Sequence, residues 1–372
     1  MKSRAAVLNE APGKWEIIEV EVDDPKEFEV LVRFHHAGLC HSDDHYAKGD
    51  VPAAAYPFCG GHEGAGVVEK VGPGVRDLEV GDHVVAAFIP GCGRCTWCAR
   101  GMQNLCDNGA YMMLGTQLDG TFRLHTEDGR DVGQCSLVST FSEYSVLPEW
   151  GCVKIDKDIP LSVAALVGCG VPTGWGSAVN AAEVRPGHVV IVMGVGGIGI
   201  NAVQGAKFAG ASRIIAVDPA PFHRDMALQF GATDAFENMQ QATDLAQALT
   251  NGQGADSAIV TVGVVNGEHV AEAFASVRKA GTIVLTSMGN VVEYGLPISL
   301  FELAMFQKRI QGSLFGMMQP TRAVEDLLRL YKEGHLKLDE LITRRYRLEE
   351  INQGYDDMHA GVNLRGVIDF QP

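Results

Sequence analysis

Positive charge is scarce along these 372 residues. Thirty Lys and Arg stand against 46 Asp and Glu, giving a net charge of −16, and no basic block interrupts the pattern. A polyanion such as nucleic acid is excluded as a natural partner. Long apolar runs are missing too. The most hydrophobic stretch, residues 189–211, is broken by Gly194, Gly196, Gly197 and Gly199, so it reads as strand, tight turn and helix rather than a membrane span. The opening MKSRAAVLNE has none of the apolar centre of a secretory signal. Internal repeats and low-complexity tracts are absent. These absences lead to the expectation of a cytoplasmic protein that engages neither membrane nor nucleic acid.

What is present is the composition of a globular protein, 46% hydrophobic and 20% charged. The chain is too long for one ordinary core and suits two domains. Nine cysteines without an export signal point to metal binding or chemistry rather than disulfides.

Up to about Trp150 the pattern is strand-like, with segments at 15–22, 29–36 and 83–88 separated by Gly/Pro punctuation. A cysteine-rich lobe at 92–106 interrupts it, followed by a Gly- and polar-rich excursion over 108–140. Beyond Pro172 the texture changes. Strands are expected at 189–193, 213–217, 256–262 and 282–286, alternating with helices at 200–209, 222–230 and 268–279. Such alternation predicts a doubly wound parallel sheet covered on both faces. Helices at 321–333 and 348–359 and a strand at 366–370 return to the first domain. The expected division is 1–171 and 314–372 for a mostly-β domain and 172–313 for an α/β domain.

Gly194, Gly196, Gly197 and Gly199, with Val195 and Ile198 between them, fit G-x-G-x-x-G after a strand and before a helix. Glycines there allow the tight turn and close approach of a pyrophosphate, whose charge meets the helix N-terminus. Asp218, 24 residues beyond Gly194, closes the next strand. Its carboxylate suits ribose hydroxyls and repels a 2′-phosphate, which favours NAD over NADP. A lone Gly-rich turn is weak evidence; strand, helix and acid in the right order make it strong. Arg213 and Arg224 flank Asp218 and are read as solvated surface.

Cys92, Cys95, Cys98 and Cys106 place four thiols within 15 residues. Four thiolates wrap one tetrahedral Zn²⁺ and leave no position for water, so this site is structural. An iron–sulfur cluster takes cysteines at other spacings.

Cys40-His-Ser-Asp-Asp-His45, Gly61-His62-Glu63, the four-cysteine lobe, Cys169-Gly-Val-Pro-Thr-Gly-Trp-Gly176 and the Gly-rich turn occur in the order found in zinc-containing medium-chain alcohol dehydrogenases, which this chain resembles along essentially its whole length. The resemblance implies a GroES-like catalytic domain, a Rossmann coenzyme domain and two zinc ions per chain. It implies catalytic ligation by Cys40, His62 and Cys169. Spacing alone does not choose Cys169, 129 residues beyond Cys40. Two thiolates and an imidazole leave a fourth position for substrate, where an alcohol ionises more readily. Ser42 and His45 resemble the family's proton relay, passing the alcohol proton by way of the ribose hydroxyl to a histidine near solvent. Asp43 is expected to orient the His62 ring, and Glu63 to assist ligand exchange. Thr173 and Ile198 resemble residues packed around the nicotinamide, and Arg365 one that contacts pyrophosphate. His41 stands where an arginine often meets pyrophosphate, and His223 where a lysine reaches the adenosine ribose. Both contacts are then weaker or pH-dependent. Val51, Phe88, Met112 and Phe141 are expected to line an apolar substrate cleft. Cys59, Cys135 and Cys152 are left as buried thiols.

Within the family, the segments GMQNLCD, LVGCGVPTGWGSAVN and GINAVQGA resemble bacterial nicotinoproteins, which keep NAD(H) bound and pass electrons to an external acceptor. The expected reaction is oxidation of a primary or benzylic alcohol to an aldehyde by a homo-oligomer, with a dimer favoured. Two alternatives are a thiol-adduct (formaldehyde-type) dehydrogenase of the same fold and a zinc- and nucleotide-binding protein without turnover.

Overall fold

The computed structural model describes residues 1–291 and 294–370. The chain divides into two compact units, the first made of Met1–Cys169, Gln319–Gly334 and everything from Leu338 onward, the second of Gly170–Met318 with His335–Lys337. The breaks fall two and five residues from the expected 171/172 and 313/314.

The first unit is built on β-structure. Lys2–Leu8, Glu16–Val22, Leu124–Thr126, Asp131–Gln134 and Phe58–Cys59 close into a barrel. Its interior is filled by alternating apolar side chains, among them Ala5, Val7, Val20, Val22, Leu124 and Val132. Period-two alternation puts such residues on one face of each strand. A second sheet centres on β1 (Glu29–Gly38), which pairs antiparallel with β2 (Gly64–Val71), with Tyr144–Pro148 and with the last strand, Arg365–Asp369. The last strand is thus stitched beside β1, which leads into the helix α1 (His41–Lys48) after two intervening residues. The polar excursion after the cysteine lobe folds as short turns and the Leu124–Thr126 and Asp131–Gln134 strands. It is tied down by Arg123, fully buried, whose guanidinium donates to both Glu29 oxygens at 2.8 and 2.6 Å and to Asp119 at 3.0 Å.

The second unit opens with α2 (Gly170–Gly176) and holds a six-stranded parallel sheet. The expected strands are present as β3 (Val189–Met193), β4 (Arg213–Val217), β5 (Ala255–Val260) and β6 (Val277–Leu285). Asp234–Phe236 extends one edge and β7 (Arg309–Gly312) the other, neither of them expected. All neighbours pair in parallel. The central strands are buried on both faces, as a sheet wrapped by helices requires. The helix α3 (Gly199–Phe208) follows β3 directly. One expected element is corrected: the helix placed at 268–279 ends at Ser276, and Val277 is already extended. Val277 keeps the helical apolar spacing of Val270 and Phe274, so periodicity overran, while Ala280 at φ 57° followed by Gly281 turns the chain. No helix among the described residues is long and apolar enough to cross a membrane.

Candidate metal centres and nucleotide site

Cys40 lies two residues beyond the end of β1 and stands at the N-cap of α1, so its thiol and the side chains of the helix's first turns are set by one short junction. The ligand atoms of Cys40, His62, Glu63 and Cys169 all lie within 4.8 Å of one another, and all four residues are buried. Cys169 pulls the Cys40 thiol well below the usual range through a hydrogen bond, assisted by the His62 and Arg365 charges. Burial opposes protonation of His62, but Asp43 and the two sulfurs outweigh it and lift the ring well above its usual value. The two sulfurs share one negative charge, with Cys40 lowered by their mutual hydrogen bond and Cys169 raised by it and by burial, beside an imidazole that gains positive charge. Cys₂His is the donor set that suits Zn²⁺ with one open position.

The His62 ring is aimed by Asp43, whose Oδ1 lies 3.1 Å from Nδ1 and also accepts the Gly61 backbone N–H at 3.0 Å. That leaves Nε2 for metal. Behind Asp43 sits the buried Cys135 thiol at 3.8 Å, a contact unforeseen in the sequence. Ser42 Oγ lies 3.7 Å from Cys40 Sγ. His45 was expected near solvent, and this is corrected: it is 2% exposed. Its Nδ1 is 2.9 Å from Asp50 Oδ2. Asp44 is held by Lys48 at 2.8 Å and by His359 at 2.8 Å, with the His41 ring 6.1 Å from that of His359. Burial keeps His41 below the usual imidazole range, against the pull of Cys40 and Asp44.

Arg365, expected at a pyrophosphate, is 3% exposed and donates through Nη2 to Glu63 and to the Leu39 carbonyl at 3.1 Å. Burial pushes the Glu63 carboxyl up to about 7 despite that partner. Gly38 makes the arrangement possible, because a Cβ there would overlap the Glu63 carboxylate. Phe88 packs its ring edge-on to His62 at 5.2 Å and is at the site. Phe141 is not: it is fully enclosed and packs against Trp15 at 5.5 Å, so it lines no cleft.

Cys92, Cys95, Cys98 and Cys106 bring their sulfurs within 4.8 Å of one another. Cys92–Cys98 and Cys95–Cys106 are separated by 3.9 and 4.0 Å. A tetrahedron of sulfurs about 2.3 Å from one zinc has edges of roughly 3.8 Å, so the lobe is already the size of that ion. Backbone N–H groups of Cys92, Cys95 and Cys98 point at sulfurs at 3.3, 3.4 and 3.5 Å, which favours thiolates. The Asp107 and Cys98 backbone amides hold the Cys95 thiol down to about 6. Of the remaining cysteines, Cys59 and Cys135 are buried and Cys152 is partly exposed; none of the nine is in a disulfide.

In the second unit, Gly194 adopts φ 86° and a Cβ on it would press on the Thr261–Val262 backbone. Gly199 packs against the Gly194 carbonyl, which also accepts the Thr261 hydroxyl. Gly196 differs: a Cβ there would meet only His223, at 3.9 Å. The glycines at 194 and 199 therefore shape the turn, and the open space at 196 is where a pyrophosphate can approach backbone N–H groups at the α3 N-terminus. Gly197 and Ile198 complete the turn, and a Cβ on Gly174 of α2 would overlap the Ile198 carbonyl, which sets Thr173 beside that loop. Asp218 Oδ2 accepts from Val195 N–H at 2.9 Å, and Oδ1 from Ala220 N–H at 2.9 Å, with His223 Nδ1 at 3.2 Å. Burial opposes its ionisation, but His223 and the amides hold Asp218 below the usual carboxylate range. Arg224 is drawn in as well, donating to the Asp218 carbonyl at 2.7 Å, rather than standing free in solvent.

The geometry is that of a zinc dehydrogenase, and sequence families agree. Residues 26–157 match the alcohol dehydrogenase GroES-like domain, and residues 197–333 the zinc-binding dehydrogenase family. The chain belongs to the zinc-containing medium-chain alcohol dehydrogenases. It is 50% identical to the NDMA-dependent alcohol dehydrogenase of Amycolatopsis methanolica over 368 residues, 99% of each chain. It is 46% identical to alcohol dehydrogenase B of Mycobacterium tuberculosis strain H37Rv over 371 residues, covering 100% of this chain and 99% of that one. The benzyl alcohol dehydrogenase of Acinetobacter calcoaceticus superposes with a TM-score of 0.92 at 29% identity, covering both chains completely. The chain is therefore an enzyme, a zinc-dependent alcohol dehydrogenase with a nicotinamide cofactor. The reading as a binding protein without turnover does not stand.

Proposed function

We propose that this enzyme oxidises a primary or benzylic alcohol to its aldehyde, with NAD kept bound and re-oxidised in place by an external acceptor. One zinc is catalytic, held by Cys40, His62 and Cys169, and the other is structural, held by Cys92, Cys95, Cys98 and Cys106. When bound, the catalytic ion acidifies the alcohol and the nicotinamide accepts the hydride.

The observation that carries the reading is the Ser42 hydroxyl 3.7 Å from the Cys40 sulfur of a buried Cys₂His set. A hydroxyl accepts one proton while donating its own, so Ser42 can take the alcohol proton without building up charge. His45 lies three residues on, along the same face of α1, and is the onward acceptor. Asp43 fixes the His62 ring. Glu63, balanced between Arg365 and the ligand sulfurs, supplies a carboxylate that can approach when a ligand is exchanged. Gly194, Gly196, Gly197 and Gly199 cradle the pyrophosphate, with His41 and Arg365 as further contacts. Thr173 and Ile198 pack on the nicotinamide, and Asp218 with His223 takes the adenosine ribose. A carboxylate at 218 favours NAD.

The nicotinoprotein reading is supported by the 50% identity, along 99% of both chains, to a protein named for its dependence on NDMA. A dimer is supported by the edge strand β7 and the exposed Leu300, Phe301 and Met305 nearby. Nine cysteines without a disulfide suit the cytoplasm.

The test is turnover of benzyl alcohol by freshly purified protein with a nitroso-dye acceptor and no added nucleotide. Sustained dye bleaching is expected. Protein that holds no nucleotide and turns over free NAD rapidly would contradict the bound-cofactor reading.

A further inference from the structure

His45 is almost sealed, at 3% side-chain exposure, whereas the Asp50 side chain is 26% exposed. A proton that reaches His45 therefore needs a further group to leave by. The local backbone supplies one. α1 ends at Gly49 in the left-handed conformation, φ 81°, and the Val51 N–H donates to the His45 carbonyl at 3.3 Å. This folds residues 49–51 back over the last turn of the helix and brings Asp50 Oδ2 to 2.9 Å from His45 Nδ1. The other nearby carboxylate, Asp44, is engaged by Lys48 and His359.

We propose that Asp50 is the positioning residue of the proton relay and its exit to solvent. The inference rests on the reading of His45 as the relay's onward acceptor. A carboxylate only accepts, so Nδ1 carries the hydrogen and Nε2 presents its lone pair to the incoming proton. Arrival at Nε2 makes an imidazolium, whose charge the carboxylate offsets. The Nδ1 proton crosses to Asp50 Oδ2 and is shed to water. One proton enters the ring and one leaves, and no electrons move. When the acceptor is reduced, the same atoms run in reverse and the ring regains its first tautomer.

The experiment measures kcat for benzyl alcohol with a dye acceptor, in H₂O and D₂O, for wild type and for the Asp50→Ala, Asp50→Asn and His45→Ala variants, each checked for zinc and nucleotide content. Asp50→Ala is expected to slow turnover about 10-fold or more and to enlarge the solvent isotope effect. Added acetate is expected to restore much of the rate to Asp50→Ala and none to His45→Ala. Asp50→Asn, which keeps the shape without the proton-accepting charge, is expected to be slow as well. Fully loaded Asp50→Asn with wild-type kcat and isotope effect, alongside a slow His45→Ala, overturns the role of Asp50 and leaves His45 in place. Wild-type behaviour in both His45→Ala and the Asp50 variants overturns the relay reading and this inference together. Should Asp50→Ala lose zinc or nucleotide, Asp50→Asn decides.

Discussion

Asp43 holds its carboxylate 3.1 Å from Nδ1 of His62, and both side chains are cut off from solvent. The pair converts a flexible imidazole into a fixed one, with a single nitrogen left to ligate. Supporting groups of this kind are worth 10–100-fold in metal affinity or activity. Asp43→Asn should therefore release one zinc per chain to a competing chelator about 10–100-fold more readily, with the second zinc unaffected. Timed chelator titration with a zinc-responsive dye measures both.

The four-cysteine lobe makes the opposite prediction. An ion held by its four sulfurs would close a loop and have no open position, so Cys95→Ser should lower the unfolding temperature and promote proteolysis within residues 92–106. The Cys40–His62–Cys169 site should keep its metal. Calorimetry, limited digestion and zinc content together separate loss of a scaffold from loss of chemistry.

Asp218 has two tasks, and they separate by substitution. Its oxygens satisfy the Val195 and Ala220 amides, and its charge is the feature proposed to select a ribose without a 2′-phosphate. Asp218→Ala strands both donors, at about 1–3 kcal/mol each where they stay dry. Asp218→Asn keeps an acceptor and removes the charge. The ratio of NADP to NAD affinity should rise about tenfold in the Asn variant, close to 1.4 kcal/mol. Isothermal titration of nucleotide-stripped protein reads it.

The buried Arg123 gives a pH dependence. Burial would raise Asp119, but the Thr121 amide and hydroxyl, Arg123 and Lys26 outweigh it and hold the carboxyl well below its usual range. A depressed folded-state pKa contributes stability above the unfolded value, near 4, and loses it as pH falls toward the folded value. The gap in melting temperature between wild type and Asp119→Asn should stay constant above about pH 5 and close progressively below about pH 4. A gap that widens on acidification would reverse the assignment.

Much of the site was legible because its parts are local. Cys92 to Cys106 and Cys40 to His45 carry their spacing in a few turns of chain, and the Gly194–Gly199 turn sits between a strand and a helix that announce themselves. Cys169 was legible only through the family resemblance, since the fold brings it to Cys40 across 129 residues. Arg365 and Glu63, 302 residues apart, meet because the last strand pairs with β1, and no periodicity reports such a pairing. Asp50 was missed for a different reason. It looks like any polar residue after a helix, and only the left-handed Gly49 turns it onto His45. Phe141 misled because an aromatic reads alike whether it faces a ligand or a tryptophan.

The central claim is that alcohol chemistry depends on an ion gripped by Cys40, His62 and Cys169. Native mass spectrometry of wild type and Cys40→Ser, paired with the dye assay, tests it most directly. Two zinc ions in the wild type, one in the variant and loss of turnover are expected. A Cys40→Ser protein that keeps both ions and full activity would contradict the account.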